Sequence, residues 1–172
     1  TGWSVANGQI DLAIIGGQLP GDLENLLQVI PYATDELALV LPSKHPLSNK
    51  KELLKEDLYK LNFVKLDSQS TTRKVVDKLL QDSGLDIQRL KIEMELNSLE
   101  AIKNAVQSGL GASFLPVVSI ERELAAGTIH KAFVADLEVK RQLKLITNPS
   151  RYTSRASEVF KKNILQIGRA HV

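Results

Sequence analysis

The stretch from Met94 to Pro116, MELNSLEAIKNAVQSGLGASFLP, constrains the fold most, because a strand end, a helix start and a glycine-hinged second strand follow one another within 23 residues. Leu99, Ile102, Val106 and Leu110 recur at helical spacing. Asn97 is a candidate N-cap, with Glu100 three residues on, where a capping-box carboxylate reaches back. The helix therefore starts at Asn97 or Ser98. Gly109-Leu110-Gly111 ends it, since glycine accepts left-handed backbone, and Ala112 to Leu115 reads as a short apolar strand before Pro116. This is one strand-helix-strand step of a parallel sheet. It leaves a helix N-terminus at a strand's C-terminal edge, where unpaired amides and the positive end of the helix dipole favour small anionic ligands.

The rest of the chain repeats the alternation. Ile10 to Ile15 is a nearly continuous apolar run ending in Gly16-Gly17, which suits a strand of a parallel sheet covered on both faces. Leu26 to Tyr32 and Glu36 to Leu41 read as two strands joined by a polar turn at Ala33-Thr34-Asp35, and Lys50 to Leu61 reads as a short surface helix. Asn62 to Leu66 is a strand, and Asp67 to Arg73 a second polar turn and helix start; Val75, Val76, Leu79 and Leu80 then share one helical face before Gly84. Leu90 to Leu96 is a strand feeding the first stretch, and Ser119 to Ala126 is a helix stopped at Gly127. Ile129 to Val134 and Gln142 to Thr147 are closing strands. A final helix from Thr153 to Leu165 is expected to bury Ala156, Val159, Phe160 and Ile164. Thr1 to Gln9 resembles the last turns of a helix stopped at Gly8, so the chain reads as a fragment that begins inside an element. Residues 166–172 continue no pattern and read as a non-native tail.

Several function classes lose support on composition. With 22 basic and 20 acidic residues and no basic block, this piece is not expected to grip nucleic acid. The chain has no cysteine, hence no disulfide framework, thiol nucleophile or cysteine metal site. No apolar run reaches the roughly 18 residues of a membrane span, and no signal peptide opens the chain, so it reads as cytoplasmic. His45, His130 and His171 make no metal-ligand spacing, and Ser113 in SGLGASFLP is no nucleophile elbow. Asp11, Glu93 and Glu95 fall on strands, where an edge or surface role is expected. An enzyme is not expected.

Taken together, WSVANGQIDLAIIGG, DELALVLPSKHPL, DSQSTTRK, NSLEAIKNAVQSGLGASFLP and ITNPSRY resemble the effector-binding domain of LysR-type transcriptional regulators. Within that family they are most similar to the regulators of RuBisCO and carbon-fixation genes in cyanobacteria and algal plastids. The likeness runs from Trp3 to Leu165. It implies an α/β fold of the type 2 periplasmic-binding-protein kind, two Rossmann-like lobes joined by two crossover strands. Residues 1–39 and 143–165 would form an incomplete first lobe, residues 40–142 the second, with crossovers near Leu39 to Pro42 and Gln142 to Ile146. The family's winged helix-turn-helix, its linker helix and the first strand, helix and second strand of the first lobe have no counterpart in this sequence.

The resemblance also implies the site. The effector would lie against Ser68, Gln69, Ser70, Thr71, Thr72, Arg73, Asn97 and Ser98, with Gly16 and Gly17 on the first lobe. Two helix starts, several hydroxyls and a guanidinium offer donors with little negative charge, which suits a carboxylate or phosphate. The implied ligand is an anionic metabolite such as a sugar phosphate, phosphoglycolate or 2-oxoglutarate, with NADPH a further candidate and no resident cofactor. A plainer reading makes Ser70 and Asn97 helix caps, Arg73 a solvated cation, and Gly16 and Gly17 turn glycines. Further implications are a homodimer or homotetramer through this domain, DNA contact only through the missing winged helix-turn-helix, no membrane, and a place in the bacterial cytoplasm or plastid stroma. The alternative is an extracytoplasmic solute-binding protein of a transporter with the same fold.

Overall fold

The computed structural model describes residues 1–169, apart from the side chains of Thr71 and of residues 167–169; residues 170–172, His171 among them, lie outside the described residues. In chain order the elements are α1 (Gly2–Ala6), β1 (Leu12–Ile15), α2 (Gly21–Glu24), β2 (Gln28–Pro42), α3 (Lys55–Leu58), β3 (Asn62–Leu66), α4 (Thr71–Asp82), β4 (Lys91–Leu96), α5 (Leu99–Gln107), β5 (Ser113–Pro116), α6 (Glu121–Ala125), β6 (Ile129–Ala132), β7 (Lys140–Thr147) and α7 (Arg155–Arg169). The chain divides into two compact units, Thr1–Asp35 with Arg141–Val172, and Glu36–Lys140. It changes unit inside β2 and inside β7, which are neighbours in the sheet. From sequence the changes were placed at 39/40 and 142/143.

The expected turn at Ala33-Thr34-Asp35 does not form, and β2 is one continuous strand of 15 residues. The polar groups that suggested a turn are partnered from β7 instead. Arg141 takes the Asp35 carboxylate, and Gln142 Nε2 donates to the Ala33 carbonyl at 3.3 Å.

In the first unit, α1 ends at Gly8, whose φ of 74° is the left-handed stop expected of it. β1 pairs antiparallel with β7, Leu12 opposite Thr147, and not in the parallel arrangement its unbroken apolar run suggested. Val5, Leu23, Leu27 and Ile146 form the core here. The helix α7 does not bury the face expected of it. Val159 and Phe160 are each 53% exposed and Ala156 is exposed, while Ile164 is half-buried, because that face carries no packed element among the described residues.

The second unit is built on β3 and β4, which run parallel with Leu66 opposite Leu96. β5 departs from the expected parallel step. Ala112 makes a single parallel bridge to Phe63, after which β5 pairs antiparallel with β2, Leu37 opposite Pro116, and β6 pairs with the next part of β2. Gly111 permits that junction, since a Cβ there would sit 2.7 Å from the Asn62 carbonyl oxygen. The expected helix over Lys50 to Leu61 shrinks to α3, because Leu53 is drawn into extended pairing with its N–H on the Phe133 carbonyl at 2.8 Å. Phe63, Leu80 and Leu41 anchor one core layer, and Ile102, Val106 and Leu115 the other.

Candidate functional site

Because β3 and β4 are parallel, the helices that follow them start at the same edge of the sheet. The backbone N–H of Asp67 donates to the Leu96 carbonyl at 2.9 Å, which ties the two turns together. Ser68, Gln69, Ser70, Thr72, Arg73, Asn97 and Ser98 are thus gathered on two adjoining turns; the Thr71 side chain lies outside the described residues. Gly16 and Gly17 belong to the first unit, at the end of β1.

Ser70 caps α4, its hydroxyl accepting from the Arg73 N–H at 3.4 Å. The cap of α5 is Ser98 and not Asn97. Its hydroxyl accepts from the Ala101 N–H at 3.1 Å, which puts Ala101 at the third helical position. Glu100 therefore has no capping-box role and pairs with Lys103 at 2.8 Å. Lys103, buried against α6, also meets Glu123 at 2.9 Å, and its ammonium is held above the usual lysine range by hydrogen bonds to Glu100 and then Glu123. Ser68, Gln69 and Asn97 are exposed and carry no structural task of this kind, so their polar groups face solvent at the two turns.

Arg73 is not solvated. Its Nε donates to Asp77 at 2.5 Å, and its Nη1 donates to the Leu66 carbonyl at 2.8 Å and to Glu95 at 3.2 Å. Lys65 pairs with the other oxygen of Asp77 at 2.8 Å, and burial pushes its ammonium below the usual lysine range although Asp77 opposes the shift. Two cations and two carboxylates therefore neutralise one another under the helix starts. The expectation of little negative charge also needs correcting at the rim, where the Asp67 carboxylate accepts from the Gln69 N–H at 2.9 Å and so occupies one of the turn's amides. The donors left for a ligand are the exposed amides and hydroxyls more than the guanidinium.

Below the two turns lies a small cavity of about 20 Å³, lined by Lys65, Thr72, Arg73, Leu99, Ser113 and Phe114 among others. That is close to the space of one water. Ser113 is buried at the floor of this cavity. Lys65, Asp77 and Ser113 carried no site expectation from sequence. A lysine inside the apolar run Phe63-Val64-Lys65-Leu66 was the one available signal, since a strand buries such a cation only beside an anion.

Among the described residues no group of three or more His, Asp or Glu side chains is placed to hold a metal. No helix of the described residues is long and apolar enough to cross a membrane.

A family model described as the LysR substrate binding domain matches residues 3–167. Proteins named "Probable RuBisCO transcriptional regulator" from Porphyra purpurea and from Synechocystis sp. are each 58% identical over 165 residues, 96% of this chain and 52% and 48% of their own lengths. The chain thus spans about half the length of these curated relatives. Among solved structures, the regulatory domain of Synechocystis PCC6803 CcmR in complex with 2-PG superposes with a TM-score of 0.81 at 23% identity, covering 97% of this chain and 77% of that one. The effector binding domain of QuiR in complex with shikimate gives 0.79 at 23% identity, with 98% and 76% covered. Their fold is the periplasmic-binding-protein-like α/β fold expected from the sequence, and the chain belongs to the LysR substrate-binding domain family.

Proposed function

We propose that this chain is the ligand-sensing part of a LysR-type transcription regulator that controls RuBisCO and carbon-fixation genes in response to a small anionic metabolite. The observation that carries the reading is the 58% identity, over nearly the whole chain, to proteins named as RuBisCO transcriptional regulators. The part would work as a sensor and not as an enzyme. DNA contact would belong to a winged helix-turn-helix elsewhere in the full-length protein, which would act as a homodimer or homotetramer in the cytoplasm or plastid stroma.

For the effector we favour a metabolite with a phosphate or carboxylate, phosphoglycolate first, because the CcmR neighbour holds 2-PG. The contacts would be Ser68, Gln69, Ser70, Thr71, Thr72, Asn97 and Ser98 at the helix starts. Arg73 would contribute field more than direct bonds, since Asp77 and Glu95 already engage it. Gly16 and Gly17, at the end of β1, would offer backbone groups. A ligand regulates only through unequal affinity for two conformations, so the proposal requires that binding change DNA occupancy.

Calorimetric titration of the full-length protein with 2-phosphoglycolate, 2-oxoglutarate and ribulose bisphosphate tests the site. Ser68→Ala with Asn97→Ala should weaken the anion that binds by about fivefold or more, the loss of one or two hydrogen bonds to a charged group. Unchanged affinity would remove the helix starts from the proposal. A mobility-shift assay on a RuBisCO operon promoter, with and without that anion, tests the wider reading; no binding to the promoter in either state would sink it.

A further inference from the structure

Gly16 is not glycine for the sake of its backbone angle, because its φ lies outside the left-handed region. It is glycine for space. A Cβ at Gly16 would stand 3.2 Å from Arg141 Cδ, 3.4 Å from Arg141 Nε and 3.2 Å from a methyl of Leu143. The arginine stem thus lies directly on the backbone that ends β1. Arg141 is itself fixed at its far end. Its Nε donates to Asp35 Oδ2 at 2.8 Å and its Nη2 lies 2.6 Å from the same oxygen, with both side chains nearly buried, 13% and 7% exposed. Asp35 closes the first segment of its unit and Arg141 opens the returning one, so both ends of this clamp sit where the chain leaves and re-enters the unit.

We propose that Arg141 is a positioning residue for the Gly16-Gly17 loop, pressed onto Gly16 by its buried pairing with Asp35, and that it sets the loop in the conformation in which it meets the effector. The last clause rests on the functional reading above. The first does not. A guanidinium with one carboxylate partner in a nearly dry site has one low-energy placement, and the missing Cβ lets the loop follow it closely. The loop's shape then depends on a residue 125 positions later in the chain.

Hydrogen exchange in the full-length protein, without ligand, reads the positioning directly. Arg141→Ala should speed exchange of the Gly16 and Gly17 amides by about tenfold, with α4 unchanged. Gly16→Ala should do the same alone yet add clearly less in the Arg141→Ala background, where only the flexible end of Leu143 still crowds the new Cβ. Equal acceleration in α4 would mark general loosening and overturn the proposal, as would a Gly16→Ala effect of the same size in both backgrounds. For the effector clause, Arg141→Ala should weaken 2-phosphoglycolate binding about fivefold by calorimetry, with Arg141→Lys recovering part of it. Wild-type affinity in Arg141→Ala overturns that clause. If the unmodified protein binds none of the three anions, the functional reading fails while the exchange data still decide whether Arg141 sets the loop.

Discussion

Asp67 donates its backbone N–H to the carbonyl of Leu96 at 2.9 Å, so the turn that opens α4 and the turn that opens α5 are held as one piece. The link exists because β3 and β4 are parallel and in register at Leu66 and Leu96. It sets two helix starts side by side through the backbone, and the Arg73–Glu95 pair at 3.2 Å crosses beneath it. Exposed polar groups on these turns face solvent, while the charges behind them pair with one another.

The cap of α5 is the first point to check. Ser98→Ala should lower stability in urea by about 1 kcal/mol, the usual value of a serine N-cap, while Asn97→Ala should change it by less than about 0.5 kcal/mol. The reverse order would put the cap at Asn97.

Asp77 partners both Lys65 and Arg73, so its removal strands the buried Lys65 and leaves Arg73 with only Glu95 and the Leu66 carbonyl. Asp77→Ala should cost about 3 kcal/mol in urea unfolding, whereas Lys65→Met, which leaves Asp77 its arginine, should cost clearly less. Similar losses for the two variants would contradict the shared-partner geometry.

Asp57 gives a pH prediction. A hydrogen bond from Lys60, then one from the Leu54 N–H, holds its carboxyl down to about 2 from 3.8. A carboxyl depressed in the folded state stabilises the fold above its unfolded pKa, and that contribution is lost as pH falls from about 4 to about 2. Asp57→Asn should make acid unfolding shallower over that interval by about 1 kcal/mol, since the exposed lysines are screened by solvent. Identical acid profiles would show that the carboxylate is not stabilised by these partners.

Two glycines two residues apart should respond differently to the same change. Gly109 has a φ of 84° and open space around it, so Gly109→Ala costs about 1 kcal/mol of backbone strain. Gly111 faces the Asn62 carbonyl at 2.7 Å from a would-be Cβ, so Gly111→Ala must shift β3 and should cost about 2–3 kcal/mol. Thermal or urea unfolding of the two variants ranks them; a smaller loss at Gly111 would deny the close approach.

Much of the architecture was legible before any coordinates. The helix stops at Gly8, Gly84, Gly109 and Gly127 all carry positive φ, and the apolar spacing of Leu99, Ile102 and Val106 marks α5 where it lies. The family likeness, resting on long motifs, held as well. Two of the differences share one cause. Thr34 and Asp35 look like turn residues only while Arg141 is unknown as a partner, and Val159 and Phe160 look buried only while the space beside α7 is assumed filled. The cap at α5 moved by one residue because Asn97 and Ser98 are both good caps and sequence offers nothing to separate them.

The sequence by itself determined where helices end, which runs alternate, and which family's pattern the chain follows, because these depend on neighbours within a few positions. Only the tertiary structure decided that Arg73 is consumed by Asp77 and Glu95, that β5 turns antiparallel against β2, and that Gly16 makes room for Arg141. Arg73 and Glu95 are 22 positions apart, and Arg141 and Asp35 are 106. Charges that far apart in the chain meet only once the strands between them have paired, so whether a basic side chain is available to a ligand is settled by folding and not by its local motif.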